Sequence, residues 1–281
     1  MITAGYELAT DDWQLAMATA PTLVRATLIQ NETEGGIAFL TLNNPEKRNA
    51  LSRAMLSELR SALASIKADR STGVVILKAR GRVFSSGHDL RELKSASPEE
   101  CTCLFALCTE VMEAVRNLPQ PVIAQVQGLA TAAGCQLVAT CDLVVASEEA
   151  SFATPGVKIG LFCTTPAVAL CRAVTSKKAM EMLLTGTAIS AREAERVGLV
   201  NRVVPADQLD SETLDLARQI ANASRYTVAL GKRAFYAQLG LDRPAAYRVA
   251  EPIMVENALA PDAQEGIGSF LEKRPPNWKS R

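Results

Sequence analysis

The stretch VQGLATAAGCQL, Val126–Leu137, decides how the rest of the chain is to be read. A short run of Val, Ile and Ala, Val122–Val126, leads into it and predicts a strand. Beyond it, Gly128, Ala130, Ala132, Ala133 and Gly134 carry almost no side-chain bulk, and Leu129–Ala139 reads as a tightly packed buried helix. Such a helix start has two uses. Small residues allow close packing of helix on strand, and free amides at a helix N-terminus attract negative charge. On the stretch alone, close packing is the better reading.

Outward from this segment, strand-like and helix-like runs alternate. Ile37–Leu42 predicts a strand ended by the Asn43-Asn44-Pro45 turn, and Ser52–Lys67 predicts a helix with apolar residues at 55, 56, 59, 63 and 66. Val74–Lys78 predicts a buried strand. Ser97-Pro98-Glu99-Glu100 has the features of a helix start, with Ser as cap, Pro at the first helical position and acids at the positive end of the dipole. Its apolar stripe runs through Leu104, Leu107, Val111, Met112 and Val115 until Pro119 and Pro121 stop it. Leu143–Ala146 and Val200–Val204 predict further strands, with a capping-box pattern, Ser190 and Glu193, between them. This β-then-α order predicts an α/β protein with crossover connections. After about residue 206 the chain reads as all-helical (207–223, 227–239 and 245–259), with no low-complexity linker before it. The expected organisation is therefore an N-terminal extension over 1–24, a core over 25–206 and a helical assembly region over 207–281.

Composition narrows the function. The 281 residues are 48% hydrophobic, and 30 Lys and Arg balance 30 Asp and Glu. No global basic field points to nucleic acid or to an anionic membrane, and no apolar run is long enough to span a bilayer. Seven cysteines lie among apolar or small residues and read as reduced thiols rather than a disulfide framework. With a single histidine, His88, and Cys101-x-Cys103 spaced too closely for a usual finger, no metal site is expected. Residues 1–24 lack a basic segment and carry Glu7, Asp11 and Asp12, which argues against a secretory or organellar leader and predicts a cytoplasmic protein.

Two further stretches carry chemistry. NNPEKRNAL, Asn43–Leu51, is a polar turn whose Lys47 and Arg48 suit phosphates, although a solvated turn reads equally well. FSSGHDL, Phe84–Leu90, places Gly87 where the backbone approaches a ligand and the next amide points into a pocket. Amides from two separate segments would together form an oxyanion hole.

In this order and spacing, NNPEKRNAL, FSSGHDL and AAGCQL resemble the crotonase, or enoyl-CoA hydratase/isomerase, superfamily, within it the enoyl-CoA hydratase domain-containing branch that lacks both catalytic glutamates. LTGTAISAREAERVGLVNRVV (Leu184–Val204) and EGIGSFLEKRPPNW (Glu265–Trp278) extend the resemblance from about Val24 to the C-terminus. The resemblance implies a spiral of ββα turns with a C-terminal helical region that builds homotrimers or homohexamers. It implies acyl-CoA chemistry of the kind found in fatty acid metabolism, with a coenzyme A thioester as substrate and no prosthetic group. It assigns the two carbonyl-polarising amides to His88 and Ala133, and CoA contacts to Lys47, Arg48 and Ala50. Ser86, Asp89 and Leu90 would line the same site, Asp89 with a structural role as its alternative. Phe270 and Lys273 match residues that reach the CoA of a neighbouring subunit.

The chain departs from that pattern where hydratases carry two glutamates. Gln136 stands at the first position and Gly156, which offers only space, at the second. A glutamine can hold a water but cannot act as a base near neutral pH. Weak or altered hydration is therefore expected. The GHD form is similar to the methylmalonyl-CoA decarboxylase branch, which implies a lyase as one alternative; a non-catalytic acyl-CoA-binding protein is another. The His88 imidazole and Cys163, in IGLFCTTP, are the side chains that could fill part of the gap, although Cys163 reads better as a small pocket-wall residue.

Overall fold

The computed structural model describes residues 24–31 and 35–279. Most of the N-terminal extension expected over 1–24 lies outside the described residues. The core begins with β1 (Val24–Asn31) and β2 (Gly35–Leu42), followed by α1 (Arg53–Ala68), β3 (Thr72–Ala79) and β4 (Val83–Ser85). Then come α2 (Leu90–Leu93), α3 (Pro98–Arg116), β5 (Val122–Val126), β6 (Leu129–Thr131) and α4 (Ala133–Thr140). They are followed by β7 (Leu143–Ser147), β8 (Ser151–Ala153), α5 (Thr164–Ala173) and α6 (Ser176–Thr185). β9 (Ile189–Ser190), α7 (Ala191–Arg196) and β10 (Arg202–Val204) complete the core. The C-terminal quarter is α8 (Leu209–Ala221), α9 (Arg225–Gln238), α10 (Arg243–Leu259) and α11 (Pro261–Leu271).

The described strands form two sheets, ordered β1-β2-β3-β5-β7-β10 and β4-β6-β8-β9. β3, β5 and β7 enter the first sheet in parallel, and the strand after each, β4, β6 and β8, enters the second, also in parallel. Each turn of chain thus gives one strand to each sheet and then a helix. This is the expected spiral of ββα units. Helical crossovers cover a parallel sheet on both faces, so its strands read as continuous apolar runs. β3 shows this directly: Val74 and Ile76 face one cluster with Ile123, Val145 and Leu209, whereas Val75 and Leu77 face the main core with Leu40, Leu42 and Ala124.

α1 and α3 form where the apolar stripes predict them, whereas α5, α6 and α11 lie outside the predicted helices. Ser52 caps α1, which buries Met55, Leu56, Leu59, Leu63 and Ile66, and Ser97 with Glu100 makes a reciprocal capping box on α3. Two expectations need correction. Leu129–Ala139 is not one helix, because Leu129–Thr131 pairs with β4 and β8 as a strand before α4 starts. Small residues fit a tight strand as well as a tight helix, so the sequence pattern did not discriminate. At Ser190 only half of the capping box forms, since the Glu193 carboxylate is held by Arg196 and Lys178 instead.

One buried ion pair ties the helical quarter to the core. Lys232 on α9 donates to Asp142 at 2.6 Å and to the carbonyls of Val115 and Gln120 at 3.2 and 3.1 Å. Tyr236 donates to the other Asp142 oxygen at 2.9 Å, and Arg116 stacks on the Tyr236 ring. The Asp142 carboxylate also accepts the Val122 amide where β5 begins, at 2.7 Å. With one partner removed, the other is left charged and buried, a cost of about 3–5 kcal/mol. Lys232→Ala should therefore lower unfolding free energy by about that amount in urea titrations. Limited proteolysis should then cut first between α8 and α9.

Candidate active site

The site is built where the second sheet meets α4. Gly87, just after β4, has φ +80°. A Cβ placed on it would lie 2.9 Å from the Ala132 Cβ, 3.0 Å from the Thr131 oxygen and 3.1 Å from the Ala133 nitrogen. The contact is reciprocal: a Cβ on Gly134 would lie 2.5 Å from the Ser85 carbonyl oxygen. Only glycines let the two backbones approach this closely. Between them Ala132 is held at φ 52°, ψ −121°, a conformation that costs a non-glycine residue about 1–3 kcal/mol. The cost is met because Ala132 donates its amide to Ala153 on β8 and must turn at once into α4.

The same contacts aim two amides. A trans peptide is planar, with C=O and N–H pointing in opposite directions. The Gly87 carbonyl accepts from the Leu51 amide at 2.8 Å, so the His88 N–H in that peptide points away from Leu51. The Ala132 carbonyl accepts from the Gln136 amide at 3.0 Å, so the Ala133 N–H points out of the N-terminus of α4. Among the described residues neither amide has an acceptor within the protein. The fold thus brings together two unpartnered donors, from segments 45 residues apart in sequence, at one helix start.

The His88 ring is placed separately from its amide. Nδ1 lies 3.2 Å from the Leu51 carbonyl oxygen, and the ring edge packs on Phe105 at 5.4 Å. A carbonyl only accepts, so Nδ1 carries the proton and Nε2 presents a lone pair, buried and without a partner. Burial lowers the pKa of the ring from 6.5, against the opposing pull of the Leu51 carbonyl and Glu92. Gln136, in the first turn of α4, is 5% exposed, with a buried Oε1 that has no partner.

Gly156 requires a correction. A Cβ there would sit 1.8 Å from the Leu161 carbonyl oxygen and 2.9 Å from Cys163 Sγ. The loop folds back because Leu161 donates its amide to the Gly156 carbonyl. The glycine therefore leaves no room for a carboxylate; backbone fills it. Cys163 is buried beside this turn, and burial raises its thiol pKa, so it is neutral at physiological pH.

The other candidates divide into two groups. Lys47 and Arg48 are exposed on the turn before α1, Ala50 is buried beneath them, and Ser86 donates its amide to the Arg48 carbonyl at 3.0 Å. Asp89 caps α2 and pairs with Arg91, which holds its carboxyl below the usual range, and Leu90 beside it is exposed. Phe270 lies in the last turn of α11 and Lys273 just beyond its end, and no described side-chain contact links them to these residues within the chain. Sequence reasoning missed Asn49. It is fully buried, at φ 50°, and bridges the turn to the chain between β3 and β4. The available signal was a third asparagine in a turn read there only for its cations. Among the described residues no group of His, Cys, Asp and Glu is placed to hold a metal ion, and no helix is long and apolar enough to cross a membrane.

Comparison with known proteins matches residues 32–281 to the enoyl-CoA hydratase/isomerase family. A mouse protein named enoyl-CoA hydratase domain-containing protein 3, mitochondrial, is 52% identical over 89% of this chain and 84% of its own length. Among solved structures, an enoyl-CoA hydratase from Mycobacterium smegmatis superposes with a TM-score of 0.88 at 47% identity, over 91% of this chain and 98% of that one. The human enoyl Coenzyme A hydratase domain-containing protein 3 superposes at 0.86 and 51% identity, over 90% and 99%. The cytoplasmic expectation is overturned by these relatives, since those from mouse, rat and human are named mitochondrial. That expectation rested on the acidic residues within 1–24, and charge in one short segment does not determine compartment.

Two outcomes follow from the geometry. Gly156→Ala should destabilise the protein by at least about 1–3 kcal/mol, because the clash is with backbone that has no rotamer to escape into; the urea midpoint measures it. His88 is the only histidine, and its neutral form is favoured by folding. The unfolded chain therefore takes up a proton first, so stability is full above about pH 6.5 and falls as pH drops below it. Unfolding titrations at pH 7.5 and 5.5 should show this loss in the wild type and a smaller one in His88→Gln.

Proposed function

The chain belongs to the enoyl-CoA hydratase/isomerase family, and on that premise we propose that it binds an acyl-CoA thioester with the carbonyl oxygen between the amides of His88 and Ala133. The observation that supports this is that two unpartnered N–H groups flank the contact between Gly87 and the Thr131–Ala133 turn, their own peptide carbonyls tied back by Leu51 and Gln136. Such donors stabilise negative charge as it develops on a thioester oxygen, because they are already oriented when the charge appears. Lys47 and Arg48 would meet the CoA phosphates over Ala50, and Ser86, Asp89 and Leu90 would border the thioester. No prosthetic group is needed for this chemistry. The names of the relatives support a mitochondrial location.

The proposed assembly is a homotrimer or homohexamer. α10 buries no side chain, and Tyr247, Met254, Leu259 and Phe270 leave a broad apolar surface on α10 and α11. Phe270 and Lys273 would then serve the CoA of a neighbouring subunit rather than their own.

Hydration by this site is proposed to be weak. Gln136 cannot take a proton near neutral pH, and the turn at Gly156 excludes a second carboxylate. A second reading, loss of CO2 from a carboxylated acyl thioester, is favoured by the same two positions. There the enolate forms as the carbon–carbon bond breaks, and no base is required. A protein that binds acyl-CoA without turnover is the third.

One measurement orders these readings. The wild type should bind crotonyl-CoA yet hydrate it at least about 100-fold more slowly than a two-glutamate relative, since each positioned acid or base contributes about 10²–10⁴-fold. Gln136→Glu alone should raise the rate, whereas Gly156→Glu should fail through packing. Full hydratase turnover by the unmodified protein would overturn the proposal and direct mutation to His88 and Cys163. CO2 release from malonyl-type thioesters would select the second reading, and binding without any product the third.

A further inference from the structure

Gly87 has no side chain to restrict its own dihedrals, so the direction of the following His88 amide must be imposed from outside. The turn before α1 imposes it. Asn49 Nδ2 donates to the carbonyls of Arg80 at 2.9 Å and Val83 at 2.8 Å, and its Oδ1 accepts the Asn44 amide at 2.9 Å. Both amide hydrogens and the oxygen are used, and a flipped amide would face like against like on every side. The Asn49 carbonyl accepts from Ser85 Oγ at 2.8 Å, and that same Oγ accepts the Gly87 amide at 3.3 Å. The Gly87 carbonyl is held by the Leu51 amide, and the Ser86 amide by the Arg48 carbonyl. Gly87 is thus gripped at both its N–H and its C=O by residues 48–51 or by a hydroxyl they orient. Both Asn49 and Ser85 are fully buried, so neither meets ligand directly.

We propose that Ser85 and Asn49 are positioning residues that aim the His88 amide at the thioester carbonyl, and that they transmit occupancy of the Lys47–Ala50 turn by the CoA nucleotide to that carbonyl. The inference rests on the reading of the His88 and Ala133 amides as the carbonyl site and adds a means by which a distant part of the substrate influences it. Contacts to the non-reacting end of a substrate raise catalysis only when they change the reacting centre, and this hydrogen-bonded path supplies the connection.

The test is spectroscopic, because a merely structural role would alter stability without altering carbonyl polarisation. The probe is 2,4-hexadienoyl-CoA, whose absorbance moves to longer wavelength when its carbonyl is polarised, compared with the matching pantetheine thioester, each at saturation. The wild type should shift the CoA thioester more than the pantetheine one. In Ser85→Ala the CoA shift should fall about twofold or more, as one of two aligned donors is lost, and the difference between the two probes should vanish. Ser85→Cys, which keeps a weak donor and the size of the side chain, should lie between, and it decides the matter by the same readout if the alanine variant does not fold. Equal shifts in wild type and either folded variant would overturn the positioning role. A wild type that gives equal shifts with both probes would overturn the transmission. No shift with any thioester in the wild type would instead remove the two-amide reading itself.

Discussion

The structure depends on the contact between Gly87 and the Thr131–Ala133 turn. It is a contact of backbone with backbone, closer than any side chain permits. Because each turn of the spiral sends one short strand into the second sheet, β4 and β6 run parallel as neighbours. Their ends must therefore emerge together, one into a loop and the other into α4. Glycine at 87 and at 134, together with the strained Ala132, is what this arrangement requires locally. In return, two peptide planes come to rest with their carbonyls engaged and their N–H groups free. The placement of these two donors follows from sheet topology, and no side chain has to be invested in it.

The side chains around the site take little part in this arrangement. The His88 imidazole turns away from its own amide, towards Leu51 and Phe105. Gln136 contributes its amide nitrogen to hold Ala132, whatever its side chain does. The two donors therefore do not depend on the side chain at Gln136. At Gly156 the loop through Leu161 lies against the glycine and leaves no room for a side chain.

In the C-terminal quarter, α8 packs on the first sheet through Leu209 and Ala217, whereas α9 is docked mainly by charge. α9 buries Leu230 and α10 buries no side chain, while Lys232 and Asp142 pair out of water where α3, β5 and β7 meet. A buried pair is poor at adding stability but strict about geometry, since any other docking would leave both charges unpaired. Apolar side chains on α10 and α11 remain directed outward.

Sequence alone determined the elements whose signal is local. The apolar stripes of α1 and α3, the caps at Ser52 and Ser97, the β-rich run of β3 and the helical character after residue 206 all depend on neighbours within a few positions. It also singled out FSSGHDL and AAGCQL as motifs, two segments that meet at Gly87 and the Thr131–Ala133 turn. Tertiary structure alone decided what those residues do. The strand inside LATAAGCQL could not be told from a helix until β4 and β8 flanked it. Asn49 looked like one more turn residue until it bridged chain more than thirty positions away, and Gly156 looked like open space until Leu161 filled it. The physical reason is the same in each case: burial and hydrogen-bond partners belong to pairs of residues distant in sequence, and a sequence pattern records only one member of each pair at a time.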